Sequence, residues 1–363
     1  MTDISLPTYP ARTDVWQTLK NEKRPILVYG MGNGADKLFS RFEAEGIRVA
    51  EVFASDGFVR GHSYRGYLVK SFSQVRELYS DFVIVLSFAS TRPEVLSMLC
   101  ELDRDYDLYI PDMPVSGEEY FDLAFYNAHY DEICAAKDAL ADERSRALFC
   151  AVVHYKLSGR LCYLLQYTSD YDEIVRALGG ESIATYFDGG AYTGDTLKIA
   201  MQYFPHLSRA HLIEPDPKTY RRLLRTLAGI DTPVTFPYNL ALGSGEGTLV
   251  FHGSGNRNSS LVGASFEHRD TETPVRTIDA ILDGEGVDYI KLDVEGAERE
   301  ALLGADATIR THRPRLLVSL YHRSEDIFSL ILYLYKKYPF YRLSLYRLLC
   351  VPAWELDLIA VPT

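Results

Sequence analysis

The densest run of chemistry-bearing side chains is Lys291-Leu-Asp293-Val-Glu295-Gly-Ala-Glu298. Lys291 and Asp293 stand at i and i+2 of an apolar run, Asp288-Tyr-Ile-Lys-Leu-Asp293, so both fall on one face of a strand. Strands of parallel sheets are normally apolar throughout, and a buried charge is costly unless paired. Two readings stand side by side. Lys291 pairs internally with Asp293 or Glu298, or the strand outlet is a substrate or metal site. In the second reading Lys291 and Asp293 are catalytic candidates, and Asp293 and Glu295 offer oxygen ligands suited to Mg2+. His322 ends a further apolar run, Arg315 to Tyr321. An imidazole takes up a hydroxyl proton near neutral pH, which makes His322 the third catalytic candidate.

A second constellation lies upstream. Thr185-Tyr-Phe-Asp-Gly-Gly-Ala-Tyr-Thr-Gly-Asp195 reads as a strand, a tight glycine turn and the start of a helix. Gly190 and Gly194 permit a sharp turn and close approach of the backbone to a ligand. The spacing, Asp188-x-Gly190-x-x-x-Gly194, differs from the dinucleotide fingerprint Gly-x-Gly-x-x-Gly. An acid ahead of the glycines suits a ligand carrying an ammonium group and hydroxyls, such as S-adenosylmethionine. Glu214 ends the next strand, where an acid accepts hydrogen bonds from a ribose. Asn239 and Leu242 close the third strand, with an amide and a backbone edge for an adenine; Asn239 also reads as a turn former before Gly243.

These residues need a scaffold, and the chain supplies one. Its 363 residues leave room for two domains. The net charge of −12, with no basic run, argues against nucleic acid as a partner. Five scattered cysteines, Cys100, Cys134, Cys150, Cys162 and Cys350, form no C-x-x-C and read as reduced thiols. The N-terminal stretch lacks the apolar core of a signal peptide, and no apolar run reaches membrane-spanning length. The expectation is a soluble, cytoplasmic protein.

Residues 25–112 pattern as a small Rossmann-like α/β unit. Pro25 to Gly30 is a strand, Gly30-Met-Gly32-Asn-Gly34 a turn, Asp36 to Glu45 a helix, and Ile47 to Ala54 a strand ending before Asp56. The turn's glycine spacing predicts no NAD or NADP binding; the unit's expected task is acceptor recognition or dimer formation. Residues 113–180 are helical and tyrosine-rich and form a connector. From residue 181 strands and helices alternate, and Tyr341 to Leu348 and Glu355 to Val361 close the chain as an antiparallel pair. Gly253 to Gly263 reads as a mobile loop. The boundaries are 1–112, 113–180 and 181–363.

Residues 181–363 resemble the FkbM family of S-adenosylmethionine-dependent methyltransferases. The resemblance rests on Phe187-Asp-Gly-Gly-Ala191 through Gly194, on Glu214-Pro215, and on Asn239-Leu-Ala-Leu242. It rests further on Arg276-Thr-Ile-Asp279 and on Ile290-Lys-Leu-Asp-Val-Glu-Gly-Ala-Glu298. It covers about half the chain. Where many members carry Glu, this chain has Ser319. The resemblance implies a Rossmann-like class I methyltransferase domain that binds S-adenosylmethionine through Asp188, Gly190, Gly194, Glu214, Asn239 and Leu242. It also implies methylation of a hydroxyl on a sugar, glycan or secondary metabolite. A dehydrogenase using NAD(P), and a ligand-binding protein with a degenerate methyltransferase domain, are the alternatives.

Overall fold

The computed structural model describes residues 4–59, 61–251 and 271–363. The expected loop Gly253 to Gly263 lies outside the described residues. Near the N-terminus, five parallel strands form one sheet: β1 (Ile26–Tyr29), β2 (Val49–Ala54), β3 (Lys70–Ser71), β4 (Val83–Leu86) and β5 (Asp107–Tyr109). Their spatial order is β3-β2-β1-β4-β5. β1 and β4 are apolar and buried throughout, as strands covered on both faces must be. The glycine turn after β1 packs tightly against the chain after β4. A Cβ on Gly34 would lie 2.2 Å from the carbonyl oxygen of Ser87.

A second sheet of seven strands occupies the C-terminal half: β6 (Thr185–Gly189), β7 (Arg209–Ile213), β8 (Val234–Tyr238), β9 (Tyr289–Leu292), β10 (Arg315–Ser319), β11 (Tyr341–Arg347) and β12 (Leu356–Pro362). The spatial order is β8-β7-β6-β9-β10-β12-β11. β12 runs antiparallel between β10 and β11, as the short link between the last two strands requires. Thr271–Arg276 pairs antiparallel with Gly247–Phe251 and parallel with Ala241–Leu242, a small sheet beside the outlet of β8.

Between the sheets lie the helices Leu123–Ala128, Tyr130–Ala139, Glu143–Ser158, Leu161–Leu164 and Tyr171–Leu178. His129 separates the first two of these helices. Asp142 caps Glu143–Ser158 by accepting from the Ser145 amide, and Gly159 ends it in the left-handed conformation. This helix buries Leu148, Phe149, Val152, Val153 and Tyr155, residues from around its circumference, so it is packed on several sides. One continuous cluster of buried residues runs from Leu27 and Ile84 through Phe149 and Val152 to Ile290 and Val318. The segments read as separate units therefore share a hydrophobic core. No described helix is long and apolar enough to cross a membrane.

Candidate active site

The site is built at the carboxyl ends of β6, β7, β9 and β10, where parallel strands leave a crevice. Lys291 in β9 stands directly opposite Asp188 in β6. Its Nζ lies 3.3 Å from Asp188 Oδ1 and 3.6 Å from Asp293 Oδ2. Burial alone would lower the lysine's pKa; the two carboxylates outweigh it and hold the ammonium charged. Asp188 is 0% exposed, and its second oxygen accepts from the Thr196 hydroxyl at 2.6 Å. Asp188 is thus paired with Lys291 and Thr196 and is not among the residues that line the cavity. The glycine turn does a related job. Gly190 has φ +88, and a Cβ there would lie 1.9 Å from the carbonyl oxygen of Asp293. Its bareness is demanded by the end of β9, and Gly190 also lines the cavity, where the sequence suggested a ligand.

Glu214 sits at the outlet of β7, 7% exposed, and lines the cavity with Gly190, Tyr192 and Pro215. Burial pushes its pKa up to about 8, although the backbone N–H groups of Asp216 and Tyr192 favour the ionised form. Asn239 commits its amide N–H groups to the chain's own backbone. Its Nδ2 donates to the carbonyls of Glu214 at 2.9 Å and Pro215 at 3.0 Å. Asn239 therefore clamps the turn that carries Glu214. Leu240, Ala241 and Leu242 line the cavity beside it.

The outlet of β9 meets that of β10 at Asp293 and His322. Asp293 Oδ1 accepts from Tyr321 Oη at 2.9 Å and lies 3.4 Å from His322 Nε2. Burial works to raise the Asp293 pKa, but Lys291, His322 and the Tyr321 hydroxyl hold it below the ordinary carboxylate range. The His322 ring is 1% exposed, with Nδ1 2.9 Å from Glu298 Oε1 and Nε2 3.8 Å from Glu295 Oε2. Burial opposes its charging, yet Glu298, Asp293 and Glu295 push its pKa up to about 10. Both ring nitrogens thus face carboxylates. The turn Glu295-Gly296 is held from outside: Ser116 Oγ donates to the Glu295 carbonyl at 2.6 Å, and Arg323 Nε to the Gly296 carbonyl at 2.9 Å. Lys37 from the N-terminal α/β unit donates to the carbonyls of Pro114 and Val115 and so fixes the same strap.

One cavity of about 620 Å3 joins these parts. Beyond Lys291 and Asp293 it continues past Ser319, Tyr321 and Asp357 to Tyr171, Trp354 and Glu355. Ala89, Ser90 and Thr91 of the N-terminal unit complete its wall. Ser319 stands opposite Asp357 in the β10–β12 pair and donates to it at 3.1 Å, so a carboxylate reaches this spot from the neighbouring strand. Sequence reasoning missed Tyr192, Tyr321, Trp354 and Asp357. Tyr321 was findable from its place beside His322; Asp357 shows only once β12 is paired with β10. Of the connector tyrosines, Tyr126 and Tyr155 are fully buried, and Tyr171 alone reaches the cavity.

The strand order, with its antiparallel β12 and the crevice at β6, β7 and β9, is that of the Rossmann-like class I methyltransferase fold. Residues 188–342 match the family model of the methyltransferase FkbM domain. Residues 188–342 thus form a methyltransferase FkbM domain, and it is this part of the chain that marks it as an S-adenosylmethionine-dependent methyltransferase. It is similar along nearly its whole length to the crystal structure of methyltransferase FkbM from Methylobacillus flagellatus KT. The TM-score is 0.70 at 19% identity, covering 99% of this chain and 95% of that one. More distant likenesses include fibrillarin from Aeropyrum pernix with natively bound S-adenosylmethionine, at TM-score 0.32 and 14% identity over 50% of this chain and 68% of that one. An rRNA methylase from Streptococcus thermophilus scores 0.35 at 11% identity over 52% of this chain and 94% of that one. No curated protein matches this sequence.

Proposed function

We propose that the enzyme methylates a hydroxyl of a small molecule, a sugar, glycan or secondary metabolite, in a soluble cytoplasmic setting. The observation that supports this reading is the single cavity shared by Glu214, Asp293 and Trp354. Its volume lies in the range of small-molecule sites, about 300–1,000 Å3. In this reading the cofactor ribose donates to Glu214, its adenine packs on Leu240 and Leu242, and its sulfonium points toward Asp293. The acceptor occupies the far end, where Tyr171, Tyr321 and Trp354 offer aromatic faces suited to a sugar ring.

Methyl transfer forms an O–CH3 bond as the CH3–S bond breaks, the acceptor's O–H bond gives up its proton to solvent by way of the Asp293 carboxylate, and S-adenosylhomocysteine leaves as a neutral thioether. The reaction gains most from alignment of oxygen, carbon and sulfur. Asp293 is the orienting acceptor for the reacting hydroxyl, with Lys291 and Tyr321 holding its carboxylate in place. His322 acts as a positioning residue, because its ring is buried and both nitrogens are directed at carboxylates. Asp188 works through Lys291. The N-terminal unit contributes to the acceptor wall through Ala89, Ser90 and Thr91.

The test is formation of S-adenosylhomocysteine with a panel of hydroxylated sugars and phenols, followed by mass analysis of the product. Acceptor-dependent turnover with methyl on oxygen is expected. A methyl found only on nitrogen or carbon of every accepted compound would overturn the O-methylation reading. Asp293→Asn is expected to lower kcat while leaving cofactor affinity near that of the wild type.

A further inference from the structure

The far end of the cavity holds a carboxylate that the protein does not neutralise. Asp357 is 7% exposed, lines the cavity and accepts from the Ser319 hydroxyl at 3.1 Å. The lysine of the cavity wall, Lys291, pairs with Asp188 and Asp293, and Asp357 forms no ion pair among the described residues. Burial and the charges of Glu355 and Asp293 all disfavour its ionised form. A buried carboxylate is costly unless a cation joins it. Resting on the reading of this cavity as the acceptor site, we propose that Asp357 receives an ammonium group of the acceptor, so that the substrate is a hydroxylated amine such as an amino sugar.

The sheet sets the reach between the two ends of such a molecule. Lys291 pairs with Leu317, and Ser319 with Asp357, so these four residues fall on one face. Leu292 pairs with Val318, which puts Asp293 level with Ser319 at the outlet. Asp293 and Asp357 therefore stand two strand spacings apart, about 9–10 Å between backbones. One sugar-sized molecule can place its reacting hydroxyl at Asp293 and an amine at Asp357. Tyr171, Tyr321 and Trp354 line the same corner. Burial raises the pKa of Tyr171, and Glu355, Asp357 and Asp195 raise it further; burial, Asp293, Glu355 and Asp357 do the same to Tyr321. The phenols and the carboxylates thus share one environment. Aromatic faces beside a carboxylate are surroundings that hold a desolvated cation.

Charge separates this reading from an anionic acceptor. Among the described residues the wall carries Asp195, Glu214, Asp293, Glu295, Glu355 and Asp357 against Lys291 and His322, with no arginine. Both cations are engaged within the protein, Lys291 by Asp188 and Asp293, His322 by Glu298. Asp293 has its own partners in Lys291, His322 and the Tyr321 hydroxyl. The network at the β9 outlet is therefore compensated, and the uncompensated carboxylate is Asp357. A phosphate or carboxylate on the acceptor would meet like charge here, and such juxtapositions reject a ligand. An ammonium group completes the balance.

The test uses the full-length protein with S-adenosylhomocysteine, which permits no turnover, and two sets of probes that keep the frame and change the charge. One set is glucosamine, glucose and glucuronate; the other is tyramine, cresol and hydroxyphenylacetate. Binding is read by calorimetry and by saturation-transfer NMR. In at least one set the amine is expected to bind about 10-fold more tightly than its neutral analogue, with the acid weaker than both. Asp357→Asn should abolish this preference while S-adenosylhomocysteine affinity stays near that of the wild type, which shows that the fold is kept. Equal binding of amine and neutral probe in both sets, tighter binding of the acids, or no saturable amine binding at millimolar concentration would overturn the assignment. So would an amine preference that survives in Asp357→Asn. A methyl group placed by S-adenosylmethionine on the amine nitrogen, with the preference and its loss in Asp357→Asn intact, would overturn the O-methylation reading instead and leave the ammonium site standing.

Discussion

Glu214 shows how burial turns a common side chain into a selective one. Its carboxyl is 7% exposed with a pKa near 8, so at neutral pH the empty site is largely protonated. In the proposed ribose site two hydroxyls donate best to the ionised form, so cofactor binding there would expel that proton. Cofactor affinity should therefore rise with pH until about 8 and then level. Calorimetry in buffers of different ionisation heats should detect proton release at pH 7. Glu214→Ala should weaken binding by about 1–3 kcal/mol. An affinity that stays flat between about pH 6 and 9 would remove Glu214 from the ribose site.

At the scale of elements, two contacts hold the reaction end together. The first is the strap at Pro114 to Ser116 against the turn Glu295-Gly296. Glu295 has φ +56 and Gly296 φ +96, so the turn is left-handed at both residues. A Cβ on Gly296 would lie 2.8 Å from Ser116 Cβ. Gly296→Ala should destabilise the protein by about 1–3 kcal/mol and lower kcat, seen by thermal melting and turnover. An unchanged melting temperature would show that the strap yields freely. The second contact is the β10–β12 pair, where Asp357 is buried against Ser319. Burial, with Glu355 and Asp293 adding repulsion, pushes its pKa up to about 8. A carboxyl raised in the folded state contributes stability below its unfolded pKa, about 3.9, and loses it as pH rises through about 8. Asp357→Asn should flatten this slope and melt higher than the wild type at about pH 8.5. Parallel melting-temperature profiles for the two proteins would refute the assignment.

The whole molecule is joined by its core. The N-terminal sheet, the helix Glu143–Ser158 and the C-terminal sheet share one cluster of buried side chains. Ser90 and Val351 exchange two backbone hydrogen bonds across the gap between the sheets, at 2.7 and 3.0 Å. Separating the units at residue 112 would expose Leu108, Ile110 and Phe121 to water. Calorimetric unfolding should therefore show one cooperative transition. Two resolved transitions, with the first leaving cofactor binding intact, would show that the N-terminal unit is thermodynamically separate. This shared core gives the N-terminal unit a physical route to the site through Lys37 and the strap.

Much of this protein is legible along the chain. Apolar runs of strand length, glycine turns and the short final link already dictate the order of strands and helices. Glu214 and Asp293 are placed at strand outlets by the same local patterning. These features depend on neighbours within a few residues, and sequence records such neighbours directly. What the side chains do there depends on residues far away. Lys291 meets Asp188 across 103 positions, and Ser116 reaches Glu295 across 179. Asp188 and Asn239 look like ligand contacts by type and spacing. Only the packed sheet shows Asp188 consumed by Lys291 and Thr196, and Asn239 by the carbonyls of Glu214 and Pro215. His322 looks like a free imidazole at a strand end until Glu298, Asp293 and Glu295 close around it. Burial and long-range pairing set the charge and orientation of each group, and both exist only in the tertiary structure.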